Sequence, residues 1–99
     1  MDPCPTVVLE AMACGLPVIG SASGGMPELV SEDCGALVPS LLDYDNLHTP
    51  TGEELADAFK KALPRLPEMS ATARTNIVAR FSIGPWVDAH RRIMEHLLK

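Results

Sequence analysis

Cations are missing from the first half of this chain. No Lys or Arg precedes Lys60, whereas residues 1–57 carry ten of the 13 acidic side chains, and the formal net charge is -5. A nucleic-acid partner would require a basic surface to neutralise phosphates. The only basic pairs, Lys60-Lys61 and Arg91-Arg92, fall in segments of helical periodicity and read as solvated helix faces, so no nucleic-acid binding is expected. Cysteine is also scarce. Cys4, Cys14 and Cys34 form an odd set with no Cys-x-x-Cys pair, which argues against a disulfide framework and a zinc knuckle. They are expected to be free thiols, buried or incidental, with Cys4 in a packing role. His48, His90 and His96 have no ligand partner at metal spacing, so no metal cofactor is expected. Long apolar runs are absent as well: the longest uncharged stretch, Ala11 to Pro27, is broken by Gly15, Pro17, Gly20, Gly24 and Gly25, which excludes a transmembrane segment there. The start, Met1-Asp2-Pro3-Cys4-Pro5, has neither the basic head nor the apolar run of a signal peptide, and a cytoplasmic location is expected.

What remains is a chain of 99 residues, 46% hydrophobic and 21% charged, the composition of one globular domain or a piece of one. Thr6 to Cys14 is helical by its Leu, Glu, Ala and Met content, follows a proline, and is stopped by Gly15. Leu16 to Ser21 is a short apolar run, too brief for a helix and suited to a parallel strand buried on both faces. Ser23 to Val30 is a glycine-rich turn leading into a helical turn, with Pro27 near its first position. Gly35 to Pro39 is a second short strand. The order helix, strand, loop, helix, strand is that of a doubly wound sheet, in which ligands bind at the carboxyl ends of the strands.

The second half differs. Residues 40–51 form a loop that ends in the capping signal Thr51-Gly52-Glu53-Glu54. Leu55, Ala58, Phe59, Ala62 and Leu63 then recur at spacings of three and four, marking an amphipathic helix that Pro64 and Pro67 end. Further helices are expected from Glu68 to Phe81, with Met69, Ala73, Ile77 and Phe81 on one face, and from Pro85 to Leu98. The last presents Trp86, Val87, Ile93, Met94 and Leu97, a broader apolar face than a helix on a two-stranded layer needs, with Arg91 and Arg92 outside it. Two parallel strands cannot shield their edges or cover these helices. The sheet is therefore expected to be completed by a larger domain or by a second copy of the chain, with part of the last helix uncovered.

These residues carry a specific resemblance. Leu9-Glu10-Ala11-Met12-Ala13-Cys14-Gly15-Leu16-Pro17-Val18-Ile19, then Gly24-Gly25-Met26-Pro27-Glu28-Leu29-Val30 and Gly35-Ala36-Leu37-Val38, resemble the C-terminal, nucleotide-sugar-binding half of retaining family 4 glycosyltransferases. The likeness is close over residues 2–39 and continues more loosely through Ala73-Arg74 and Phe81-Ser82 to the end. It implies an α/β fold, part of the Rossmann-like C-terminal domain of a GT-B enzyme, with residues 1–39 as the donor-site region and residues 52–99 as C-terminal helices. It also implies a nucleotide-sugar donor such as a UDP-, GDP- or ADP-sugar, a separate N-terminal domain as partner, and sugar transfer with retention.

The family's mark is a pair of glutamates separated by seven residues. Glu10 matches the second, which the resemblance assigns to the ribose hydroxyls, and Asp2 stands in the place of the first, assigned to positioning the transferred sugar. The chemistry agrees for Glu10, because a carboxylate accepts several hydroxyl donors and a helix starting near Thr6 offers the amides of Thr6 and Val7 to a diphosphate. Read without the motif, Glu10 is a solvated helix carboxylate. Gly24 and Gly25 either let the backbone approach the donor or simply make the turn. The chain departs from the family at Asp2, one methylene short, and at Pro5, which has no N–H where glycine is usual. With no cation before Lys60, the chain alone is expected to bind a donor weakly and to turn none over. The alternative reading is a non-catalytic pseudo-enzyme or dimerising interaction module; a related GT-B sugar epimerase fits the Glu10 to Ile19 run less well.

Overall fold

The computed structural model describes residues 2–41, 43 and 45–99. Helix α1 (Thr6–Ala13) leads to strand β1 (Val18–Ala22), the single helical turn α2 (Met26–Leu29) and strand β2 (Gly35–Pro39). Helices α3 (Gly52–Ala62), α4 (Leu66–Phe81) and α5 (Ile83–Leu97) follow, with a 3₁₀ turn, Leu63–Arg65, between α3 and α4. The strands pair in parallel, from Val18 opposite Gly35 to Ala22 opposite Pro39. The fold is thus α/β, a partial Rossmann-like unit of two parallel strands and several helices.

Local chemistry explains the boundaries. β1 starts after Pro17, which has no N–H for the ladder; Val18 makes the first bond, to the Cys34 carbonyl at 3.3 Å. α1 ends in a Schellman turn: Gly15 takes φ +76°, its N–H donates to Met12, and the Leu16 N–H donates to Ala11. At α3 the expected capping box is present, the Thr51 hydroxyl accepting the Glu54 N–H at 3.1 Å while the Glu54 carboxylate accepts the Thr51 N–H at 3.3 Å. Losing such a cap costs about 0.5–2 kcal/mol. Pro64 and Pro67 do not leave a gap between helices. Each sits in a first turn, of the 3₁₀ segment and of α4, where a missing N–H is harmless, so α4 starts at Leu66 rather than at Glu68. α5 likewise begins at Ile83, with Pro85 inside its first turn.

The core gathers Val8 and Met12 of α1, Leu29, Val30 and Cys34 around α2, and Ala73 and Ile77 of α4, with Leu37 and Phe81 against them. α4 therefore lies on α1 as its apolar periodicity requires. Three expectations fail at the periphery. β1 is half-buried along its whole length rather than sealed on both faces, because among the described residues β2 is its one strand neighbour. Of the α3 face only Ala62 is buried, and Phe59 stays 50% exposed. Cys4 is exposed rather than packed into the core, unlike the buried Cys34. One peripheral expectation holds: α5 buries no residue. Trp86 and Ile93 remain 57% and 59% exposed, the uncovered face that the sequence pattern anticipates.

Candidate functional site

Two loops meet at one end of the molecule. The segment before α1 reaches the turn that follows β1, and the Gly25 N–H donates to the Asp2 carbonyl at 3.1 Å. Gly24 has φ +56°, which side chains rarely adopt, and a Cβ on either glycine would strike the backbone of Asp2 or Pro3. The glycines are needed because two main chains approach here. Between the loops lies a cleft of about 210 Å³ lined by Pro3, Gly24, Gly25 and Glu28.

Asp2, Gly24 and Gly25 are therefore brought together. The Asp2 carboxylate is turned onto its own loop, where Oδ1 accepts the Cys4 N–H at 2.9 Å. Thr6 and Val7 open α1 and are exposed, and the N-cap Pro5 supplies no side-chain acceptor to their amides. Such first-turn amides have no partner within the helix and attract anions. Glu10 is exposed on α1, about 6 Å further along the axis at the usual rise per residue. Neither it nor Thr6 nor Val7 lines the cleft.

A second recess of about 120 Å³ opens beside Ser23, lined also by Ser40, Leu41, Asp43, Asn46, Leu47 and His48. Within it His48 Nε2 lies 2.8 Å from Asp43 Oδ2, and the Asp45 N–H donates to Asp43 Oδ1 at 2.9 Å. The His48 hydrogen bond, helped by the Asp45 amide and Asn46, lowers the Asp43 pKa from 3.8 to about 2. The sequence reading did not single out this pair, nor Glu28 in the cleft wall; Glu28 could have been found from its place just after the glycine turn. Among the described residues no group of three His, Cys, Asp or Glu side chains could hold a metal, and no helix is long and apolar enough to cross a membrane.

The family described as "Glycosyl transferases group 1" matches residues 1–65, which include both loops, both strands and the whole cleft lining. The chain belongs to this glycosyltransferase family. Among similar proteins, a GDP-mannose-dependent monoacylated alpha-(1-6)-phosphatidylinositol monomannoside mannosyltransferase of Corynebacterium glutamicum is 40% identical over 76 residues, 77% of this chain and 18% of that protein. A GDP-mannose-dependent alpha-(1-6)-phosphatidylinositol monomannoside mannosyltransferase of Mycolicibacterium smegmatis is 43% identical over 56 residues, 57% of this chain and 15% of that protein. A D-inositol 3-phosphate glycosyltransferase of the same organism is 32% identical over 83 residues, 84% of this chain and 17% of that protein. The matched region thus spans less than a fifth of each of these relatives. No solved structure matches.

Proposed function

We propose that this glycosyltransferase chain supplies the donor-binding side of an enzyme of GT-B architecture that moves a sugar from a nucleotide-sugar to an acceptor with retention, and that the donor is GDP-mannose or a close analogue. The observation that carries the reading is the meeting of the α1 entrance with the Gly24-Gly25 turn, joined by the Gly25 to Asp2 bond, at the carboxyl end of β1. Doubly wound sheets bind ligands at such strand ends. The identity of 40% and 43% to two enzymes named for GDP-mannose supports the choice of donor.

In this reading the amides of Thr6 and Val7 face the diphosphate, and Glu10 accepts the ribose hydroxyls. Gly24 and Gly25 leave room for the donor in the cleft, while Asp2 positions the sugar. Asp2 can keep its bond to the Cys4 amide, which engages Oδ1 alone and leaves Oδ2 to accept a sugar hydroxyl. Metal is not part of the scheme. Titrating GDP into the 15N-labelled chain tests it: amide signals of Thr6, Val7, Gly24 and Gly25 should move, and more with GDP than with UDP or ADP. Glu10→Gln removes a charged acceptor worth about 1.5–3 kcal/mol, roughly a ten- to hundredfold rise in Kd. Silence of these amides at millimolar nucleotide, or an unchanged Kd in Glu10→Gln, overturns the assignment. The bare apolar face of α5 favours a second reading, an interaction module that pairs with another copy of itself.

A further inference from the structure

The Schellman turn at the end of α1 uses the carbonyls of Ala11 and Met12, but it leaves those of Ala13 and Gly15 without backbone donors. One helix, far away in sequence, answers both. Ser70 Oγ of α4 donates to the Gly15 carbonyl at 2.6 Å, and Arg74 Nη1 donates to the Ala13 carbonyl at 2.9 Å. Ser70 and Arg74 are four residues apart, so they lie on the same face of the helix as the buried Ala73 and Ile77. Near the other end of α4, Arg80 Nη2 donates to the Glu28 carbonyl at 2.9 Å. α2 is a single turn whose own closure is the Val30 N–H to Met26 bond, so the Glu28 carbonyl is free to take an outside donor.

We infer that α4 is a clamp on the cleft and that Arg80 is a positioning residue for it: by holding the Glu28 carbonyl, Arg80 fixes the wall that Glu28 shares with Gly24 and Gly25. Ser70 and Arg74 hold the far end of α1, the helix whose first turn stands beside the same cleft. The loops that form the cleft contain no cation and little apolar mass. A backbone bond, Gly25 N–H to the Asp2 carbonyl, joins them directly, and α4 adds the cationic donors that the first 57 residues lack. A hydrogen bond from a charged donor is worth more than a neutral one, which suits a guanidinium to this task. Arg80 does not line the cleft, so its effect on a ligand passes through Glu28 and the glycine turn. The role in donor binding rests on the function proposed above, whereas the clamp itself can be read without any ligand.

The test is amide hydrogen exchange in the ligand-free 99-residue chain. Arg80→Ala should speed exchange at the Gly25 and Val30 amides about tenfold, as the loss of one charge-assisted bond implies, while Met12 and Ile77 in the core keep their rates. Arg80→Lys retains a cationic donor for a single carbonyl and should bring both amides back toward wild type. Arg91→Ala, removing a side chain that pairs only with Asp88 at 3.5 Å among the described residues, should leave them unchanged. Unaltered exchange at Gly25 and Val30 in Arg80→Ala overturns the clamp, as does a uniform rise that includes Met12 and Ile77. If Arg80→Ala does not fold, Arg80→Gln replaces it, with loosening confined to those two amides as support and uniform loosening as refutation. GDP titration of the same variants separates the two ideas: a wild-type chain that ignores GDP removes the donor reading, while the exchange pattern still decides the clamp.

Discussion

Replacing Gly25 by Ala probes the junction on which the cleft depends. Gly25 has φ -85° and ψ 1°, a conformation open to any residue, so the substitution carries no intrinsic backbone strain. The obstacle is contact: the new Cβ would collide with the Pro3 carbonyl oxygen and lie 2.6 Å from its carbon. Both are backbone atoms, and no flexible side chain can swing aside. The two loops must separate, which breaks the Gly25 N–H to Asp2 bond and opens a buried position. The lost bond costs about 0.5–1.5 kcal/mol and the overpacking about 1–3 kcal/mol, roughly 1.5–4.5 kcal/mol together. For a chain of this size that lowers Tm by on the order of 10–25 °C. Gly84→Ala is the matched control. Its Cβ meets nothing within 4 Å and lies in a helix, so stability should hold or rise by up to about 1 kcal/mol. Urea unfolding followed by circular dichroism measures both. A Gly25→Ala chain within about 0.5 kcal/mol of wild type would refute the close approach of the two loops and the cleft built on it.

Other consequences are open to measurement. Because the folded pKa of Asp43 is lowered from 3.8 to about 2, its contribution to stability is present above the unfolded value and is lost as pH falls through about 2. Carboxyl-carbon NMR should show that midpoint, and His48→Ala should move it back toward 3.8; an unmoved midpoint would mean that His48 is not the main cause. With Trp86 57% and Ile93 59% exposed on a helix that buries nothing, the chain should self-associate at micromolar concentration. Sedimentation should then show Trp86→Ser/Ile93→Ser shifting toward monomer, since each large side chain removed from water contributes about 1.5–3 kcal/mol. A wild-type chain that is already monomeric under those conditions would count against it.

Much of the fold is legible because its signals are local. Gly15 ending α1, Thr51 and Glu54 opening α3, and Met69, Ala73 and Ile77 burying one face of α4 all act within a turn or two of helix. The family is legible in a contiguous run of residues, and the loops around Asp2, Gly24 and Gly25 do meet. Burial is less legible than periodicity. Phe59 and Leu55 have the spacing of a core face, yet both are exposed, because periodicity states which residues share a face and not whether anything covers it.

The existence of the helices, the capping box of α3, the two parallel strands and the family can be read from the chain alone, since each depends on neighbours a few residues apart or on a contiguous run. What holds the cleft in place depends on contacts between residues far apart in the chain. The bonds from Ser70, Arg74 and Arg80 to carbonyls span 55, 61 and 52 residues, and a carbonyl acceptor has no side-chain identity by which a sequence could announce it. Orphan groups at helix ends must find donors somewhere. Which donors they find is settled by how α4 lies across α1 and α2, and that follows from packing over the whole described chain.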